Sequence, residues 1–189
     1  MAIKAEMFNE KAASSKSRPD EILKILKLEP GQKIADIGSG GGYFALRFAE
    51  AVGERGRVYA ADTNPEFLEF VKSLAQERSL GNIETILVTG GLSLPEGSLD
   101  LIFMRNLYHH LSDRITYFRR LRDFLRPSGR VAVIEYEPHT GNFFSFRRLF
   151  GHSTPREVII GVLKGAGYKL VQDYDILPEQ HFLVFWPSD

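Results

Sequence analysis

At 189 residues, 43% hydrophobic and 25% charged, the chain is expected to form a single domain (1–189) burying roughly 70% of its unfolded surface. Its 24 lysines and arginines balance 24 aspartates and glutamates, so no bulk positive field exists to attract nucleic acid. The absence of cysteine excludes disulfides, thiolate metal sites and cysteine nucleophiles. No signal peptide is recognisable and no apolar run approaches the ~20 residues that span a membrane, so a cytoplasmic protein is expected.

In chain order, residues 1–17 are small and polar, with Asn9, Ser14, Ser15 and Ser17 beside Lys11 and Lys16, and read as a mobile arm. Arg18-Pro19-Asp20 opens a helix with an apolar face of Ile22, Leu23, Ile25, Leu26 and Leu28, stopped by Glu29-Pro30-Gly31. Lys33–Ile37 reads as the first strand, Gly42–Val52 as a helix and Arg57–Ala61 as the second strand, ending at Asp62. Asn64-Pro65-Glu66 begins a helix that runs to about Arg78, with proline in the first turn, where its missing N–H costs nothing. Ile83–Val88 is the third strand, Thr89–Ser98 a loop, and Leu99–Met104 a fourth strand apolar enough for burial on both faces. Ser112–Leu125 is an amphipathic helix ended by Arg126-Pro127-Ser128-Gly129, and Arg130–Tyr136 is the fifth strand.

Strand and helix alternate, which predicts a parallel sheet with right-handed crossovers. The tail differs. Pro155–Gly165 reads as a helix, and the strands Tyr168–Tyr174 and His181–Trp186 are joined too closely to be parallel.

The most informative segment joins the first strand to its helix: Asp36-x-Gly38-x-Gly40-x-Gly42. A dinucleotide-binding turn requires G-x-G-x-x-G, and counting from Gly38 the third glycine position holds Tyr43. An acid two residues before the first glycine would repel a pyrophosphate but suits a ligand with a cationic end. The acid followed by alternating glycines, with Asp62 after the second strand and the closing antiparallel hairpin, resembles the class I S-adenosylmethionine-dependent methyltransferases. The resemblance spans roughly residues 20–186. It implies a doubly wound, three-layer α/β fold of the Rossmann-like type, with sheet order 3-2-1-4-5-7-6 and strand 7 antiparallel.

It also implies S-adenosylmethionine as cofactor. Asp36 would contact the methionyl amino group or brace the loop, and its alternative is a carboxylate accepting backbone N–H bonds in a tight turn. Gly38, Ser39, Gly40 and Tyr43 would belong to the donor turn, with Gly38 and Gly40 facing the ligand and Gly42 serving packing. Asp62 would accept the ribose hydroxyls, or else cap the helix at Asn64; Thr63 and Asn64 would flank the adenosine. Many relatives carry an aspartate after the third strand. Here the position falls on Gly90, followed by Gly91 and Leu92, so adenine would be held by backbone and by apolar contact. Arg105 and Asn106 would meet the methionyl end.

The segment Met104-Arg-Asn-Leu-Tyr-His-His-Leu111 resembles small-molecule methyltransferases, including the quinone-biosynthesis C-methyltransferases. Tyr108, His109 and His110 are the candidates for facing the acceptor. Adjacent residues on a helical turn diverge by roughly 100°, which predicts different jobs for the two histidines, one facing the cleft and one packing or capping. Their spacing does not converge on one ion, so no metal site is expected. Each histidine has a purely structural alternative.

Phe143, Phe144, Phe146 and Phe150, interleaved with Arg147 and Arg148, mark 137–154 as a lid or cap segment. It would enclose an apolar acceptor bearing an anionic group or touch lipid, or instead pack on the domain or on a second copy in a homodimer. The expected activity is methyl transfer to a small-molecule acceptor by in-line displacement. The alternatives are a catalytically inactive S-adenosylmethionine-binding accessory protein and a nicotinamide oxidoreductase.

Overall fold

In the computed structural model, which describes residues 2–138 and 153–188, the run Lys33–Ile37 (β1) lies inside a seven-stranded sheet. It pairs in parallel with β2 (Arg57–Asp62) on one side and β4 (Leu99–Arg105) on the other. β3 (Ile83–Leu87) adds in parallel outside β2, and β5 (Leu125–Tyr136) outside β4. The hairpin of β6 (Tyr168–Tyr174) and β7 (Gln180–Pro187) completes the order β3-β2-β1-β4-β5-β7-β6, with β7 antiparallel to both neighbours. Both the order and the antiparallel strand match the sequence expectation.

Helices cover both faces, which is why the central strands are almost continuously buried. On one face α2 (Pro19–Leu26), α3 (Tyr43–Val52) and α4 (Pro65–Glu77) bring Ile22, Phe44, Phe48 and Val71 against Ile34, Val58 and Phe103. On the other, α5 (Arg114–Phe124) and α6 (Arg156–Gly165) bring Phe118, Leu121, Ile159 and Leu163 against Ile102, Met104 and Val133. The connection from β3 to β4 carries no helix; Leu92 and Leu94 fill the layer by burying their side chains beneath it. Chain connections leave β1 and β4 toward opposite sides of the sheet, so a crevice opens at their carboxyl ends.

Two expectations about local structure are corrected. Residues 1–17, read as an arm, form α1 (Ala2–Ala13) and a 3-10 turn (Ser15–Ser17). The helix docks through small and polar groups: Ala5 and Ala12 are buried, and Asn9 Nδ2 donates to the Gly41 carbonyl at 2.8 Å. The Tyr43 N–H donates to Asn9 Oδ1 at 3.1 Å, and Phe8 packs edge-on against Phe67. Such a contact leaves no apolar stripe in the sequence, because Ile3 and Met7 point to solvent.

The second correction concerns β5, which begins at Leu125 rather than Arg130, so the Pro127-Ser128-Gly129 stretch is extended chain. Leu125 pairs with Leu99, and an irregularity in register follows. A Cβ at Gly129 would lie 2.5 Å from the Leu99 carbonyl, so a glycine is what lets the two strands approach there. No helix among the described residues is long and apolar enough to cross a membrane. The expected lid residues Phe143, Phe144, Phe146, Arg147, Arg148 and Phe150 lie outside the described residues.

Candidate active site at the carboxyl edge of the sheet

The turn after β1 is bound to the end of β2. The N–H groups of Gly38 and Ser39 donate to the Ala61 carbonyl at 2.8 and 3.1 Å, and that of Gly40 donates to Asp62 Oδ2 at 2.9 Å. The other Asp62 oxygen accepts from the Asn64 N–H at 2.9 Å. Asp62 therefore ties the glycine turn to the start of α4 while remaining half-buried, and the cap of α4 is Asn64, whose side chain accepts from the Glu66 N–H. Thr63 is exposed beside it. Gly42 has φ +83°, and a Cβ there would sit 2.5 Å from Val71 Cγ2, so it packs α3 on α4 as expected. Gly38 and Gly40 are half-buried at the crevice.

Asp36 ends up enclosed, at 3% exposure. Burial, reinforced by the like charge of Asp62 and opposed by the Ala45 backbone, pushes its pKa up to about 7. Arg105 acts in the opposite direction. The Oγ of Ser39 is buried with no hydrogen-bond partner among the described residues. Tyr43 is half-buried, its hydroxyl accepting from Arg47 at 3.1 Å.

At the end of β4, the Arg105 guanidinium lies 5.6 Å from the Phe44 ring centroid and donates to Ser17 Oγ at 2.8 Å. Asn106 adopts φ +56°, a conformation asparagine tolerates better than most residues. Its Oδ1 accepts from Gln180 Nε2 at 2.5 Å, and its N–H donates to the Ile134 carbonyl. On the loop after β3, Gly90 and Gly91 are exposed and Leu92 turns its side chain into the core.

Tyr108, expected to face an acceptor, is instead fully buried. It lies in a 3-10 turn (Tyr108–His110) that aims its ring at Phe118, with the Arg114 guanidinium 4.6 Å from the ring centroid. His110 is exposed, whereas His109 turns to Glu135. His109 Nδ1 lies 3.0 Å from each Glu135 oxygen, and the His109 backbone N–H donates to Oε2 at 3.2 Å. Glu135 is fully buried and also accepts the Tyr136 N–H at 2.8 Å. Sequence reasoning missed Glu135; its signal was a lone acid in the apolar run Val131-Ala-Val-Ile-Glu-Tyr136. It also missed Asn9 and Gln180, which carry no motif. Among the described residues no group of three or more histidines and acids is placed to hold a metal ion.

An open doubly wound sheet of this order, closed by an antiparallel seventh strand and carrying an acid–glycine turn at its switch point, defines the class I S-adenosylmethionine-dependent methyltransferases. Residues 35–133, just over half the chain, match the model of the family described as Methyltransferase domain, and the chain belongs to that family. It is 26% identical over 116 residues to the ubiquinone/menaquinone biosynthesis C-methyltransferase UbiE of Shewanella sp. (strain ANA-3), covering 60% of this chain and 46% of that protein. It is 25% identical over 134 residues to the demethylmenaquinone methyltransferase of Geobacillus kaustophilus (strain HTA426), covering 69% of this chain and 56% of the relative. The chain thus spans about half the length of the curated relatives it matches. A crystal structure of a SAM dependent methyltransferase from Aquifex aeolicus shares the fold, with a TM-score of 0.81 at 21% identity over 95% of this chain and 96% of that one.

Proposed function

We propose that the chain transfers the methyl group of S-adenosylmethionine to a small-molecule acceptor. The observation that carries this reading is the placement of a buried acid, Asp36, beneath a glycine turn that Asp62 ties to the end of β2. A buried carboxylate held up near pH 7 favours a cationic partner, and the unpartnered Ser39 Oγ marks a polar group that a ligand would satisfy. Asp36 would bind the donor's ammonium, the turn from Gly38 to Gly40 its methionyl arm, and Asp62 its ribose. Thr63, Asn64, Gly90 and Gly91 would border the adenosine, with Arg105 and Asn106 at the methionyl side. When bound, the donor supplies an electrophilic methyl group on a sulfonium.

The chain's own contribution is binding, orientation and proton management. Donation of the Nδ1–H to Glu135 puts the imidazole lone pair of His109 on Nε2, the tautomer of a general base. An acceptor with a proton to lose, such as a phenolic hydroxyl, becomes a stronger nucleophile when His109 takes that proton. General-base help is worth about 10²–10⁴-fold, whereas orientation supplies roughly 7–11 kcal/mol, so the site's rigidity carries the larger share. The quinone-pathway relatives support an aromatic acceptor.

A donor-binding accessory role has its own support, since both Asp62 oxygens already accept backbone N–H bonds and no acid stands at Gly90. Incubation with methyl-labelled donor and pools of phenolic and quinol acceptors separates the two. Label transfer is expected. Donor binding without transfer to any acceptor would favour the accessory role, and preferential binding of NAD(P) would overturn both.

A further inference from the structure

A cavity of about 280 Å³ opens between α1, the 3-10 turn that follows it and the carboxyl ends of β4 and β5. Its wall holds three cationic side chains, Lys11, Lys16 and Arg105, against one acid, Glu179. In a chain with no net charge this is a local concentration of positive potential. Neither lysine forms an ion pair among the described residues; Lys11 Nζ lies 5.2 Å from the ring centroid of Tyr136, another wall residue. The Nε of Arg105 is buried without a hydrogen-bond partner among the described residues. A buried guanidinium with an unmatched N–H is costly, and the charge of an anion in the adjoining cavity would offset part of that cost.

The wall is preorganised. Ser17 is buried, accepts from Arg105 Nη2 and donates to the Lys11 carbonyl at 2.6 Å, which fixes the end of α1 carrying Lys11 and the turn carrying Lys16 relative to β4. The cavity lies outside the donor turn: no residue of 38–42 and neither Asp36 nor Asp62 lines it, and of the residues placed with the donor Arg105 alone does, at the border of the two sites. It reaches instead toward the start of β7, where Gln180 links to both Arg105 and Asn106. Its volume is close to the lower end of the ~300–1,000 Å³ typical of small-ligand sites, too large for a carboxylate alone and suited to a small aromatic molecule bearing one.

We infer that this cavity holds the anionic part of the acceptor and selects small acceptors carrying a carboxylate or phosphate, which Lys11, Lys16 and Arg105 bind, while the reacting atom lies outside the cavity, whose lining does not include His109. The assignment rests on the methyltransferase reading, but the binding it predicts can be measured separately. The full chain, with and without saturating S-adenosylhomocysteine, is titrated calorimetrically with 4-hydroxybenzoate, phenyl phosphate, inorganic phosphate and the neutral ester methyl 4-hydroxybenzoate. An aromatic anion is expected to bind at least about tenfold more tightly than the ester, and whichever of the two binds better identifies the anionic group. Inorganic phosphate alone is expected to bind more weakly than phenyl phosphate, having no ring to bury.

Lys11→Ala/Lys16→Ala is expected to weaken the better aromatic anion by about tenfold or more, and Lys11→Arg/Lys16→Arg to restore most of it. S-adenosylhomocysteine affinity is expected to stay within about twofold in both variants. Equal binding of ester and anion, no detectable anion binding, or an alanine variant that binds like the parent would overturn the inference. So would a parallel loss of S-adenosylhomocysteine affinity, which would give the cations to the donor instead. Failure of S-adenosylhomocysteine to bind the parent chain counts against the methyltransferase reading and leaves the anion titration to stand by itself.

Discussion

Glu135 holds His109 at three points, two through Nδ1 at 3.0 Å and one through the backbone N–H at 3.2 Å. Because Glu135 is fully buried, it holds the ring's orientation, and as a carboxylate it would favour the tautomer that carries the proton on Nδ1. His109→Asn is expected to lower kcat by about 10²–10⁴-fold while leaving the Kd of S-adenosylhomocysteine within about twofold. Glu135→Gln keeps the volume but presents an amide that can turn N–H toward Nδ1. It is expected to cost about 10²-fold or more in kcat by favouring the wrong tautomer. Single-turnover kinetics beside calorimetry make the test. A loss of donor affinity as large as the loss of rate would show the pair to be scaffolding.

Asp36 gives a pH dependence whose sign follows from its raised pKa of about 7. Donor binding requires the carboxylate, so affinity is expected to fall as pH drops below about 7, by up to about tenfold per unit. Asp36→Asn should flatten that profile and weaken binding above pH 7. Stability runs the other way. Without ligand, the folded state holds the proton more tightly than the unfolded chain, so stability declines as pH rises from the ordinary carboxylate range through about 7. At pH 8 the ligand-free Asp36→Asn protein is expected to be more stable by roughly 2–4 kcal/mol, a difference that vanishes near pH 4. Urea unfolding at the two pH values measures it.

Much of this was legible in the sequence, and what was not has physical reasons. The order of strands followed from buried runs, turn residues and a link too short for a crossover. The acid–glycine spacing located the crevice. Asp36 and Asp62 are read as donor ligands, yet Asp62 also accepts two backbone N–H bonds, and one carboxylate can serve a turn and a ligand together. Tyr108 could not be placed because a 3-10 turn sends successive side chains in directions that only the surrounding core decides. Docking of α1 rests on two alanines, one asparagine and an edge-on phenylalanine, none of which produces a periodic signal. Glu135 is separated from His109 by 26 residues, and only the pairing of β4 with β5 brings them together.

Asp62 has two tasks that one substitution separates. Asp62→Ala removes the acceptor for both the Gly40 and Asn64 N–H groups as well as the expected ribose ligand. It should weaken S-adenosylhomocysteine binding by more than about tenfold and lower stability by about 1–3 kcal/mol. Asp62→Asn retains one carbonyl acceptor and should recover part of the stability without recovering the affinity. Equal recovery of both in calorimetry and thermal melts would mean that Asp62 only braces the turn.

Gly42 joins the donor turn to the helical layer, and its replacement tests how tightly the two are coupled. A Cβ there meets Val71 Cγ2 at 2.5 Å, in a backbone conformation, φ +83°, that side chains disfavour. Gly42→Ala is expected to cost about 2–4 kcal/mol, part from the left-handed backbone and part from the clash. Val71 is fully buried, so Val71→Ala alone should cost about 2 kcal/mol through the space it leaves. In the double variant the alanine at 42 gains that space, and the combined cost should fall short of the sum by about 1 kcal/mol or more. Denaturant unfolding of the four proteins closes the cycle. Strict additivity would mean that the turn's conformation, and not its contact with α4, makes the glycine necessary.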